Sequence, residues 1–159
     1  VDSTGSATGD AHTLRSTGVD VTLDSDSAVV TTGDSANDDY ATYKIVVDVT
    51  AFEQDVFIST NQATSTNVSV VNSSGVAVSG TSSVIIDSSA EVEGGSFKIA
   101  EGETESVTIT VTFDALTAGA SARLQLNSLV FGETDGANDT TWNALPAEDY
   151  RTDIVTLVN

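Results

Sequence analysis

Thr104 to Phe113 carries the cleanest alternation in the chain. Val107, Ile109, Val111 and Phe113 take one parity; Thr108, Thr110 and Thr112 take the other. A repeat of two residues fits only extended backbone, because successive side chains of a strand leave on opposite faces. The residues on both faces are largely β-branched, which favours the same conformation. A chain built this way must supply further strands to cover the apolar face, and the rest of the sequence does so.

The densest apolar segment is Tyr40 to Thr60. Tyr43, Ile45, Val47 and Val49 share one face, opposite Lys44, Val46, Asp48 and Thr50. Phe52 marks a corner, and Val56, Phe57 and Ile58 open a second strand. Phe52 and Phe57 stand where they would plug the end of a core. Val19, Val21 and Leu23 alternate with Asp20 and Thr22, so Val19 to Leu23 reads as a half-buried strand that Asp24-Ser-Asp-Ser then breaks. Ala28 to Thr32 reads as a separate short strand, and Gly33 to Asp39 as a loop. Further strands are expected over Thr66 to Val71, Gly75 to Val78, Val84 to Ile86, Ser96 to Ala100, Ala122 to Phe131 and Thr152 to Val158. Asn72-Ser-Ser-Gly75 reads as a hairpin turn, Ser88 to Gly95 as an acidic loop, and Asp114 to Ala120 as a turn with Leu116 tucked in. Gly132 to Tyr150 is the long irregular stretch, with one turn of helix over Ala147 to Arg151. No segment carries a 3.6-residue period over a helical length.

About ten short strands separated by turn signals make an all-β chain: a single antiparallel β-sandwich, jelly-roll or immunoglobulin-like. The sandwich is expected over residues 19–159. Residues 1–18, rich in Ser, Thr, Gly and Asp, read as an extended polar leader. The absence of methionine, even at position 1, sets the expectation of a processed start from which a signal peptide has been removed.

Charge narrows the partners. Asp and Glu number 24 against five Lys and Arg, for a formal net charge of -19. Such a surface repels phosphate backbones and anionic lipid, so neither nucleic acid nor a membrane surface is an expected partner. No apolar run reaches the length of about eighteen residues that a membrane span needs. The chain has no cysteine, which excludes disulfides, thiolate metal sites and cysteine nucleophiles.

Catalysis finds little to work with. The sole histidine, His12, lies in the polar leader, and no glycine-rich phosphate loop follows a strand. Paired carboxylates for glycoside cleavage would be expected among aromatics, yet there are only one Trp, three Tyr and five Phe. The sequence is therefore read as a non-enzyme. Calcium is the ligand its acids would suit, through hard oxygen donors in loops: Asp24 and Asp26, then Asp34, Asp38 and Asp39, with Asp135 to Asp139 as a third cluster. None follows the helical-loop calcium pattern, and the alternative is a set of acidic turns capped by Asx hydrogen bonds. Asn67, Asn72 and Asn138 begin glycosylation sequons.

Tyr43-Lys-Ile-Val-Val-Asp-Val-Thr-Ala-Phe-Glu-Gln-Asp-Val-Phe-Ile58 resembles secreted β-sandwich surface proteins of bacteria and archaea. So does Phe97-Lys-Ile-Ala-Glu-Gly-Glu-Thr104 running into Val107 to Phe113. The named group it looks like is the TasA-like biofilm-fibre proteins and archaeal bundling pilins. That resemblance implies a jelly-roll that polymerises by donor-strand exchange, a segment of one copy filling a groove in the next. The donor would be the leader or Val19, Val21 and Leu23, with Ile154 to Val158 as a second candidate. The expected function is then an extracellular structural subunit of a filament or pilus, at the cell surface or in a matrix, whose partners are copies of itself. The alternative is a monomeric adhesin or carbohydrate-binding sandwich, calcium-dependent, presenting Trp142 and Tyr150. A surface-layer or halophilic structural domain is a third reading.

Overall fold

The computed structural model of the chain describes residues 18–33 and 39–157. They form an all-β antiparallel sandwich of eleven strands: β1 (Gly18–Thr31), β2 (Tyr40–Phe52), β3 (Val56–Ser59), β4 (Thr66–Val71), β5 (Gly80–Ser88), β6 (Glu91–Glu93), β7 (Ser96–Ile99), β8 (Thr104–Ala115), β9 (Ala120–Phe131), β10 (Thr140–Asn143) and β11 (Val155–Leu157). A one-turn helix α1 (Gln62–Ser65) joins β3 to β4, and a 3-10 turn spans Ala147–Tyr150.

The first layer runs β1-β2-β8-β5. At its centre β2 and β8 pair without a slip from Ala41 opposite Phe113 to Thr50 opposite Thr104. Tyr43, Ile45, Val47 and Val49 therefore share a face with Val107, Ile109, Val111 and Phe113, and all eight are buried. Burying a side chain of this size stabilises the fold by roughly 1.5–3 kcal/mol. The second layer is built on β9, which pairs with β10 and β11 and also with β4. The third sheet, β3-β7-β6, is tied to the end of β9: the Phe57 amide donates to the Gly132 carbonyl at 2.9 Å, and the Gly132 amide returns the bond at 3.0 Å. Gly132 is required there, because an added Cβ would lie 2.3 Å from the Ala137 carbonyl oxygen. Leu124, Leu126, Leu129, Phe131, Ile58 and Ile99 complete one continuous core with the first layer.

Two bulges set the phase of the strands. Leu23 pairs with Val47 but Ser25 with Val46, so Asp24 is an extra residue. Asn67 pairs with Ser128 but Val68 with Leu126, so Asn127 is another. An inserted residue turns the following side chains to the opposite face. Hence Val19, Val21 and Leu23 pack inward before the first bulge, and Ala28 and Val30 after it. On β9 the inward set passes from Ala122, Leu124 and Leu126 to Leu129 and Phe131.

Several expectations are corrected. The acidic run after Leu23 does not end a strand: it is taken up by the bulge, and β1 continues to Thr31. Phe57 is buried as expected, but Phe52 is 49 % exposed, because its neighbour Ala51 occupies the inward position. Leu116 is 73 % exposed rather than tucked in. The stretch Ser88 to Gly95 contains β6, whose Glu91 and Glu93 flank Val92 in a hairpin with β7. Gly132 to Tyr150 holds β10, paired with β9. The helix α1 is too short for periodicity to reveal; Asn61 caps it, its side-chain oxygen accepting from the Ala63 amide at 3.1 Å.

Tyr43 is the largest fully buried side chain, and its hydroxyl has no hydrogen-bond partner among the described residues. Burial disfavours the phenolate and pushes the pKa from 10.0 up to about 12. With the folded value above the unfolded one, the stabilisation is present below pH 10.0 and lost as pH rises through about 12. Tyr43→Phe is expected to be close to neutral or stabilising at neutral pH, since it removes an unpaired polar atom. It should also blunt the loss of stability in alkali. Denaturant melts at neutral pH and in the alkaline window test both; an unaltered alkaline profile would contradict this account.

Candidate functional site

The distinctive surfaces of the sandwich are the two outer strands of the first layer. They are built differently. Strand β1 is held by β2 on one side and guarded on the other. The Tyr150 hydroxyl, carried on the 3-10 turn, donates to the Val21 carbonyl at 2.7 Å. Its ring meets Trp142 edge-on, with centroids 5.1 Å apart and planes at 78°. Burial, then the charges of Asp20 and Asp149, raise the Tyr150 pKa, so the hydroxyl stays a donor. Asp26 pairs with the buried Ile45 yet is itself exposed, so a carboxylate sits on the core-side face of this edge. A bulge and an inward-side charge are devices that discourage another strand from adding to an edge. Beside the start of β1 lies a cleft of about 310 Å³, lined by Gly18, Val19, Phe131, Trp142 and Leu145 among others.

Strand β5 carries no such guard. It pairs with β8 from Gly80 opposite Ala115 to Ser88 opposite Val107 with no register shift. Asp87 is its one charged residue, and among the described residues no strand pairs with its far side. Ile85 is 63 % exposed on the outer face. Between β5 and the α1–β4 corner runs a groove of about 470 Å³, whose walls include Val84, Val68, Thr66 and Ala63. The sequence explains the character of this flank: residues 56–86 contain no Asp, Glu, Lys, Arg or His, in a chain of net charge -19. That run supplies β3, α1, β4 and almost all of β5.

The proposed donor residues Val19, Val21 and Leu23 lie on β1, paired with Ala51, Val49 and Val47 of their own chain. The leader and His12 lie outside the described residues, as does Val158 of the C-terminal donor candidate. Asp24 and Asp26, expected in a loop, are on β1, where the Ser25 hydroxyl donates to Asp24 at 3.1 Å. Asp34 and Asp38 are outside the described residues. Asp39 is buried, its carboxylate accepting from the Gly33 amide at 3.2 Å. No three acids or histidines converge as a metal-binding group among the described residues. In the third acidic cluster Asp135 clasps the β6–β7 turn, accepting from the Gly95 amide at 3.2 Å and the Ser96 hydroxyl at 2.8 Å. Of the sequon residues, Asn67 lines the β5 groove and accepts from Asn127 at 3.0 Å. Asn72 organises its turn by accepting from the Ser74 and Val76 amides. Asn138 donates to the Gly136 carbonyl.

Lys98 on β7 stands 3.0 Å from Asp55 and 3.2 Å from Glu93, with its ammonium 5.7 Å from the Phe57 ring centroid. An amine beside two carboxylates could in principle condense with one of them, but that requires the neutral amine and the neutral acid. Here the opposite is favoured. Hydrogen bonds from the Glu101 amide and from Lys98 hold Asp55 below its usual range, and the bonds to Asp55 and Glu93 raise Lys98. The cluster is a solvent-exposed ion pair that fastens β6, β7 and the start of β3 together.

No family model matches this chain, and neither the curated proteins nor the solved structures contain a match. The uncharged run and the two parity switches at Asp24 and Asn127 are visible in the sequence and are the signals that the periodicity reading passed over. Tyr150→Phe is expected to cost about 1 kcal/mol, the net value of one hydrogen bond, and to alter the emission of the single tryptophan beside it. Denaturant melts followed by Trp142 fluorescence measure both effects; unchanged stability would mean that the Val21 contact does not hold β1.

Proposed function

We propose that the protein is an extracellular structural subunit that assembles with copies of itself into a filament by strand exchange, the first half of β1 being the donated segment. The observation that carries this reading is the position of Gly18–Leu23: an edge strand, ahead of all the others in the described chain, ending at the Asp24 bulge. An edge strand can leave without unthreading anything. The same six residues could pair with β2 of the next copy in the same register, so every ladder bond lost in one subunit is regained in another. The bulge supplies the place to bend, because the ladder is already interrupted there. Where each copy passes its donor on to the next rather than swapping reciprocally, the contact is heterologous and propagates unless it closes into a ring.

The adhesin alternative draws on Trp142 and Tyr150. Their edge-on packing, with the Tyr150 hydroxyl spent on Val21, suits a cover over the end of the core better than an open stacking platform.

The absence of cysteine makes the exchange directly readable. Val19 and Ala51 are cross-strand partners, so Val19→Cys combined with Ala51→Cys should place two thiols within disulfide reach. After concentration and mild oxidation, exchange predicts a ladder of covalent multimers on a non-reducing gel. Internally bridged monomers under every condition of salt and concentration would refute it. The reference is the unoxidised double variant, which should retain the parent's circular dichroism.

A further inference from the structure

We propose that the Gly80–Ser88 edge pairs antiparallel with the same edge of a second copy, joining two four-stranded layers into one continuous sheet across a two-fold axis. This contact is separate from strand exchange at β1 and does not depend on it.

Three observations converge on β5. It is a regular nine-residue edge with no bulge and a single charge. An exposed edge of that kind presents unpaired amides and carbonyls with nothing to deter an added strand. Second, it lies on a flank made from the uncharged run 56–86, while the chain as a whole carries -19. Two copies repel one another wherever acidic faces meet; bringing this flank against its own counterpart keeps that cost to the long-range repulsion between the chains, which makes a second copy the partner of matching charge. Third, the groove beside β5 is open and uncharged, with Val84 and Val68 set among Ser, Thr, Asn and Gln side chains.

The sequence of β5 also fits itself. With Val84 on the axis, all nine residues pair: Gly80 faces the second copy's Ser88, Thr81 its Asp87, Ser82 its Ile86, and Ser83 its Ile85. Each Asp87 then lies opposite a threonine rather than opposite the other carboxylate, which would be unfavourable. On the core-side face, Val84 and Ile86 continue the apolar stripe that Val111 and Ile109 begin. On the outer face the two Ile85 side chains become diagonal neighbours, covering a residue that is 63 % exposed in the single chain. The contact is isologous, so by itself it closes as a dimer.

The test uses the whole chain. Val84→Cys puts one thiol on the axis of a protein with no other cysteine, and oxidation should give a disulfide-linked dimer. Thr81→Cys, three residues from the axis, should not. Ile85→Glu, at an exposed position, should raise the dimer dissociation constant by at least about tenfold in sedimentation equilibrium. Raising the salt from about 0.15 M to 1 M should strengthen dimerisation of the parent by screening the acidic surface. A Val84→Cys protein that stays monomeric across this range overturns the proposal, as does equal cross-linking at Thr81 and Val84. An edge already covered by another segment would give that monomeric result. A Val84→Cys dimer that forms while the Val19→Cys with Ala51→Cys protein stays internally bridged supports the edge contact and removes strand exchange.

Discussion

The ladder between β2 and β8 is the constraint on which the rest of the molecule hangs. It runs through ten opposed pairs without slipping, and because side chains alternate with period two, one fixed register decides the facing of every residue on both strands. Tyr43, Ile45, Val47 and Val49 can meet Val107, Ile109, Val111 and Phe113 only in that register or in shifts by whole pairs that would leave apolar ends uncovered. Once this pair is set, β1 and β5 have no choice but to add outside it, and the inner face fixes what β9 must bring from the second layer. The buried Tyr43 hydroxyl is tolerated inside this pair; the surrounding aliphatic contact outweighs one unpaired polar atom.

The parts of the fold that were legible in the sequence are those governed by this alternation. The inward faces of β2, β8 and the first half of β9 could be read directly from Val, Ile, Leu and Phe at every second position. What could not be read that way lies where alternation stops or changes sign. Asp24-Ser-Asp-Ser has the composition of a turn, and only the shift of the apolar residues from odd to even positions across it shows a strand passing through. Phe52 and Leu116 are large and apolar, which argues for burial, yet both fall on the outward parity or beyond a strand's end, and geometry overrides residue type. Glu91-Val-Glu93 forms a strand because it has β7 beside it, not because of its own propensity.

The candidate site was less legible for a different reason. Clusters of acids draw attention in a sequence, but Asp39 and Asp135 are occupied with backbone amides, and Asp24 and Asp26 belong to a strand. The informative feature was an absence: the run from Val56 to Ile86 with no ionisable side chain at all. An uncharged stretch of Ser, Thr, Asn and Val looks unremarkable residue by residue. It gains meaning only when the topology gathers its α1, β4 and β5 portions around one groove of a chain that is strongly acidic overall.

The same two bulges bear on how such a chain can vary over time. A residue gained or lost inside β2 would turn its whole apolar row to solvent, so that strand has no freedom in length. At Asp24 one surplus residue is already absorbed by a local kink, and the hydrophobic pattern resumes on the far side in the correct phase. Insertions and deletions in a lineage of this protein should therefore accumulate on the outermost strand, at a site that can swallow them, while the central pair keeps a fixed count.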